Sequence, residues 1–196
     1  MDMEKKKIYL SNGQFARSGN VPVTPISGSY WVRPGLLLAG EYPISPFDAE
    51  LSRKRIDSFL LAGIDTFINL TRQNELPDYS SMLMEQAGYF EKDVFCHRFP
   101  IGDFGVPDPL IMMEILKTID TAINAGHAVY YHCYAGIGRT GTVTGCYLVE
   151  HGLKADEALQ TLSEWWKLVP KSAFSPNSPE TNFQIKFIQT WADHIK

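Results

Sequence analysis

Residues 130–142 read Tyr-Tyr-His-Cys-Tyr-Ala-Gly-Ile-Gly-Arg-Thr-Gly-Thr. An apolar run, residues 128–131, leads in, and a helix-compatible apolar run, residues 143–149, leads out. Between them Cys133 opens a short segment that holds Gly136 and Gly138 and closes on Arg139. The pattern is strand, tight loop, helix. Glycines allow backbone geometries that residues with a Cβ resist, so successive N–H groups can turn inward as an anion nest. The loop also feeds a helix N-terminus, whose unpaired N–H groups and partial positive charge attract anions. Arg139 adds a planar fork that can grip two oxygens at once. The same field makes Cys133 a candidate nucleophile.

Working outward, the chain alternates strand-like and helix-like segments. Residues 30–32 and 36–39 read as two short strands around a turn at Arg33-Pro34-Gly35. A helix is expected over 48–62, apolar at Leu51, Ile56, Phe59 and Leu60 and stopped by Gly63. Buried strands are expected over 65–70 and 94–99, with a polar loop at 71–79 and a short helix at 80–87 between them. Asp108 and Pro109 read as the cap and first residue of a helix to about 124, with Ile111, Ile115, Ile119 and Ile123 on its apolar side. After the loop and its helix, a further helix is expected over 155–168. The last helix is expected to start at Ser178-Pro179 and to turn Phe183, Phe187, Ile188 and Trp191 inward. Strands separated by helical connections pair in parallel. The expected fold is therefore a single α/β domain: a central, mostly parallel twisted sheet, helices on both faces, and the phosphate-binding loop between a central strand and a helix. The domain is expected over residues 29–196, behind an irregular arm at 1–28 with a short strand near residues 8–10.

A phosphate monoester needs a nucleophile, charge stabilisation and a proton for the leaving oxygen. The loop offers the first two. For the third, Asp103 stands between Gly102 and Phe104 on a loop directly after a strand, where an open α/β sheet places its ligand crevice. Asp108 is the competing carboxyl, but its cap-like place before Pro109 argues against it. A turn residue is the plain alternative for Asp103.

The spacing His132-Cys133-x-x-Gly136-x-x-Arg139-Thr140 resembles the signature loop of the cysteine-dependent protein tyrosine phosphatase superfamily. Asp103-Phe104-Gly105-Val106-Pro107 is similar to that family's acid loop, usually Trp-Pro-Asp-Phe-Gly-Val-Pro. Ile101-Gly102 replaces the Trp-Pro, a departure shared by the compact dual-specificity branch. The resemblance implies a hydrolase working through a phosphocysteine. Cys133 would attack, residues Tyr134, Ala135, Gly136, Ile137, Gly138 and Arg139 would hold the phosphate, and Asp103 would serve as acid and then base. Thr140 would hydrogen-bond the sulfur, and His132 would orient the cysteine. Glu180-Thr181-Asn182-Phe183-Gln184 resembles the water-positioning loop of the larger enzymes, with Gln184 at its second glutamine and Glu180 replacing the first. The plain alternative for Gln184 is an exposed residue of the last helix.

Four variable loop positions, Tyr134, Ala135, Ile137 and Gly138, carry no cation, and net charge is −4. A singly phosphorylated side chain, phosphotyrosine first, is therefore the expected substrate, carried on a protein or peptide. A small-molecule phosphatase for inositol phosphates or phosphoinositides is the alternative, and an inactive phosphate-binding module is the alternative of another class. No cofactor is expected. No metal is expected either: Cys96 and His97 are adjacent in a strand, so they face opposite ways, and no Cys-x-x-Cys or His-x-x-x-His spacing exists. The acidic net charge gives no reason to expect nucleic acid as a partner. No apolar run approaches the ~20 residues of a membrane span, and the first residues lack a signal-like apolar stretch. Three cysteines make no disulfide framework, which fits a reducing cytoplasm. Either Cys96 or Cys146 could trap Cys133 as a disulfide, and a small buried apolar role is the plain alternative for each.

Overall fold

The computed structural model describes residues 21–195. The expected short strand near residues 8–10, with the first twenty residues of the expected arm, lies outside them.

The first two strands, β1 (Ser29–Arg33) and β2 (Leu37–Gly40), form an antiparallel hairpin. Its turn uses Gly35 at φ +73°, in the left-handed region that costs glycine nothing. Helix α1 (Ala49–Leu61) is capped by Asp48, whose carboxylate accepts the Leu51 N–H. Strand β3 (Ile64–Asn69), helix α2 (Ser80–Tyr89), strand β4 (Phe95–Arg98) and helix α3 (Pro109–Asn124) follow. Asp108 caps α3 through the Leu110 N–H at 2.8 Å, as its place before Pro109 implied. Strand β5 (Ala128–His132) leads through the glycine-bearing loop into α4 (Gly138–Glu150). The chain ends in α5 (Ala155–Trp166), α6 (Asn182–Gln189) and the single turn α7 (Trp191–His194).

The sheet order is β1-β2-β5-β3-β4, and every pairing except β1 with β2 is parallel. Strand β5 is thus the middle strand, and all five of its residues are buried. Side-chain alternation sorts the strands onto two cores. Leu38, Phe67 and Tyr130 face Ile56, Phe59, Leu60 and Leu83 of α1 and α2. Leu37, Ile68, Val129 and Tyr131 face Ile115, Val143, Leu162, Trp166, Ile188 and Trp191 from the other helices. Helix α4 is buried from Gly138 to Val149. Its threonines avoid unpaired hydroxyls by bonding back one turn, Thr142 to Gly138 O at 2.8 Å and Thr144 to Thr140 O at 3.0 Å.

Several local expectations are corrected. Strand β4 is not buried: it closes one edge of the sheet, and Phe95, Cys96 and His97 are exposed. Leu51 is exposed as well, because the first turn of α1 instead turns Ser52 inward, where its hydroxyl accepts the Ser45 N–H. Ser178-Pro179 does not start the last helix. That pair precedes it with a cis peptide bond, α6 starts at Asn182 under a Thr181 cap, and Phe183 is 80% exposed.

Candidate active site

The loop between β5 and α4 is shaped by what holds its carbonyl groups. His132 Nδ1 donates to Cys133 O (3.2 Å), and the Tyr42 N–H to Tyr134 O (2.9 Å). Lys171 Nζ donates to Ala135 O (3.3 Å) and Ser178 Oγ to Ile137 O (2.8 Å). All four partners surround the loop from outside. A planar trans peptide points its N–H opposite its C=O, so the N–H groups of Tyr134, Ala135, Gly136 and Gly138 point away from these partners. Gly136 completes the turn at φ +78°, pressed so close to β2 that a Cβ would stand 2.6 Å from Gly40 C.

Cys133 lies at the base of the loop and is 2% exposed. Thr140 Oγ1 is 3.1 Å from its sulfur and 3.2 Å from Gly40 O, so one hydroxyl proton serves either acceptor. His132 is fully buried, with Nε2 2.7 Å from the Tyr79 hydroxyl. Because Nδ1 donates to a carbonyl, Nε2 is the acceptor and Tyr79 the donor. Burial drives the His132 pKa down to about 3, with the charges of Arg98 and Arg139 adding to it and the Cys133 carbonyl opposing. The ring is therefore neutral at physiological pH.

Arg139, also 2% exposed, is held by a residue the sequence reading passed over. Glu75 takes its guanidinium in a two-pronged pair, 2.9 Å from Nη1 and 2.7 Å from Nη2. The Arg72 N–H fixes the same carboxylate at 2.9 Å. Burial pushes the Glu75 carboxyl up, but the bonds and charges of the two arginines outweigh it and hold it below the usual range. Glu75 stands in a polar loop with no motif; its only sequence signal is an acid in the loop after a strand, on the side where the phosphate loop opens.

Asp103 comes to the same arginine. Its Oδ1 is 3.0 Å from Arg139 Nη2, while its side chain stays 56% exposed. Arg139 Nη1 also reaches back to Ile101 O at 3.2 Å, at the start of the acid loop. Asp108 is spent as a helix cap. Gln184 is buried rather than exposed: Nε2 donates to Gly105 O (3.1 Å), and Oε1 accepts the Thr181 N–H (3.1 Å). Glu180 stands beside it, its carboxylate in the space a Cβ on Gly138 would need. Burial first and Asp103 next push the Glu180 carboxyl up, against Arg139. Tyr134 turns its side chain to solvent.

The structure thus gathers Cys133, Arg139, Asp103, Thr140, His132 and Gln184 around one loop. Among the described residues no group of His, Cys, Asp and Glu side chains is placed to hold a metal ion, and no helix is long and apolar enough to cross a membrane.

Residues 52–153, about half of the chain, match the family model described as "polymorphic toxin system, DSP-PTPase phosphatase". The chain belongs to this phosphatase family. Relatives of the phosphatase include protein tyrosine phosphatase domain-containing protein 1 of Mus musculus, 29% identical over 181 residues. That match covers 87% of this chain and 22% of the mouse protein. The tyrosine-protein phosphatase cdc-14 of Caenorhabditis elegans is 30% identical over 133 residues, 67% of this chain and 16% of that protein. The phosphatase therefore spans about a fifth of the length of the curated relatives it matches. Two solved structures share its fold. Tk-PTP in its active form has a TM-score of 0.66 at 23% identity, covering 85% of this chain and 97% of that one. PTPMT1 in complex with PI(5)P has a TM-score of 0.63 at 16% identity, covering 86% and 96%. The compact α/β phosphatase fold expected from the loop and its neighbours is the fold of the family.

Proposed function

We propose that this phosphatase domain, residues 29–196, hydrolyses phosphomonoesters through a phosphocysteine, with phosphotyrosine in a protein or peptide as its substrate. The observation that carries this reading is the Asp103 carboxylate 3.0 Å from Arg139 Nη2, the arginine that closes the loop opened by Cys133.

In the proposed cycle the loop amides and Arg139 hold the equatorial oxygens, and Cys133 Sγ attacks phosphorus in line with the leaving oxygen. Asp103 reaches any group held by Arg139 and protonates that oxygen. Water then attacks the phosphocysteine as Asp103 takes a proton back. Thr140, 3.1 Å from the sulfur, stabilises the charge that returns to it. His132 fixes the Cys133 carbonyl and so the start of the loop.

Charge favours a single phosphate. The loop's own side chains carry no cation besides Arg139. Lys171, beside Ala135, is held by Glu41 at 2.5 Å, and the same carboxylate pairs with Arg55 at 3.1 Å. The cysteine, arginine and acid are all present, which sets aside an inactive phosphate-binding module. All three cysteines are free thiols, which suits a reducing cytoplasm.

Hydrolysis of an aryl phosphate without added metal is expected to vanish in Cys133→Ser, and activity surviving there would overturn the mechanism. Comparing kcat/KM over phosphotyrosine peptides, phosphoserine peptides, phosphoinositides and inositol polyphosphates tests the substrate. A preference for multiply phosphorylated inositols would refute the charge argument.

A further inference from the structure

We propose that the first turn of α6 is a catch for the acid loop, making Thr181 and Gln184 positioning residues for proton transfer by Asp103. The inference rests on the phosphocysteine reading and its acid, and goes beyond them.

The acid loop is anchored at its ends, where Ile101 and Pro107 are buried and the Ile101 N–H donates to Leu70 O at 3.0 Å. Arg139 holds Asp103, but the backbone of the loop's tip has little to hold it within the loop. Residues 101–107 form no helix or strand. Phe104 and Val106 are exposed, so apolar packing does not anchor the tip. Phe104 stands at φ +57°, a left-handed conformation that a bulky residue adopts only when its surroundings impose it. One bond inside the loop, Gly105 N–H to Gly102 O at 2.9 Å, tightens the turn without tying it to the domain.

The tip is tied down by α6. Thr181 Oγ1 donates to Phe104 O at 3.4 Å, and Gln184 Nε2 donates to Gly105 O at 3.1 Å. These are the two carbonyls that directly follow Asp103. Gln184 is fully buried, and its amide orientation is set by chemistry at both ends: one meets an N–H, the other a carbonyl. The same two residues form a reciprocal cap on α6, with the Gln184 N–H on Thr181 Oγ1 at 3.2 Å. The donors are therefore rigid before the loop reaches them. They are also set against the phosphate loop, since a Cβ on Gly138 would lie 2.7 Å from Gln184 Nε2. One helix turn thus fixes the distance between the acid and the phosphate site.

The catch works against repulsion. Glu180, next to Thr181, feels Asp103 as one of the groups pushing its carboxyl up. Two carboxyl groups on facing elements favour an open loop when both are ionised, and the two bonds to α6 oppose this. Both of these contacts of the Gln184 amide lie inside the protein, one of them on the acid loop.

The test exploits leaving-group chemistry. Loss of acid positioning hurts phenyl phosphate, whose leaving oxygen needs a proton, far more than 2,4-dinitrophenyl phosphate, whose leaving group does not. Gln184→Glu keeps an oxygen for the Thr181 N–H and loses the donor to Gly105, while the charge it adds beside Glu180 weakens phosphate binding equally for both substrates. Its kcat/KM loss is expected to be about five- to twentyfold greater with phenyl phosphate, the scale of one buried hydrogen bond. Thr181→Val should show the same selectivity, and Thr181→Ser should restore the wild-type ratio. In an Asp103→Asn background Gln184→Glu should add no further selective loss. An equal loss with both leaving groups, or a full additional loss in Asp103→Asn, would overturn the catch. If Asp103→Asn itself shows no selectivity, the acid assignment falls and takes the catch with it. The two failures are therefore distinguishable.

Discussion

At the scale of single residues, the site is governed by how Arg139 is held. A guanidinium with 2% exposure cannot be left without a carboxylate, and Glu75 supplies one in two-pronged geometry. Breaking a buried pair by removing one partner costs about 3–5 kcal/mol. Glu75 is partly open to water, its side chain 23% exposed, and Asp103 still faces Arg139 without it, so a cost below that range, roughly 2–3 kcal/mol, is expected. Glu75→Ala should therefore lower the melting temperature by about 4–12 °C for a domain of this size. An oxyanion such as tungstate should restore part of that loss by pairing with Arg139, and should stabilise the variant more than the wild type. Equal stabilisation of both, read by thermal melts with and without tungstate, would show that Glu75 does not share the arginine with the ligand.

At the scale of elements, the start of α4 sets two demands against each other. Gly138 is the first residue of the helix, where intrinsic propensity favours alanine by roughly 0.5–1 kcal/mol. The same position faces the Glu180 carboxylate and the Gln184 amide, which a Cβ would displace. Gly138→Ala is thus expected to melt within a few degrees of the wild type while losing several-fold in kcat/KM on phenyl phosphate. A loss in stability with activity intact would reverse the assignment. This split shows what a sequence can tell. The strand–loop–helix around Cys133 was legible because its signals are local: an apolar run, glycines at fixed spacing, then a helix-compatible run. The Asp108 cap was legible for the same reason. The edge position of β4 was not, because a strand's burial depends on which strands lie beside it, and Phe95 to Arg98 read alike in the centre or at the rim. Glu75 was missed for the same kind of reason: nothing in residues 71–79 marks which of their acids meets an arginine sixty-four positions later. Gln184 showed its place through resemblance, but only its contacts with Gly105 and Thr181 suggest a task.

At the scale of the whole molecule, His132 joins the two halves of the sheet and carries a testable pH dependence. Its backbone pairs with both β2 and β3, at Gly40 and Asn69. Its ring meets Tyr79 by a hydrogen bond and packs against Tyr42 and Tyr130, with centroids 5.1 and 5.4 Å away. Burial holds its folded pKa at about 3 against an ordinary 6.5. Between those values the unfolded chain binds a proton that the folded chain refuses, so folding stability rises with pH across the window. Stability is then fully present above about pH 6.5 and is lost by about 1.4 kcal/mol per pH unit below it. Glu75 acts in the same direction but lower down: its depressed folded pKa adds stability above the ordinary carboxylate value and loses it as pH falls through the folded one. The interval from 6.5 to 4.5 thus isolates the histidine from Glu75. Urea unfolding at 25 °C should lose about 2–3 kcal/mol over that interval in the wild type. His132→Gln, which cannot take up the proton, should be less stable at pH 7 but flatter by about that amount. An unchanged slope in His132→Gln would mean that the imidazole accepts its proton inside the fold. The Tyr79 hydroxyl would then have to turn and accept from Nε2 at acid pH, while the Nδ1 bond to the Cys133 carbonyl, which favours the protonated ring, would stay.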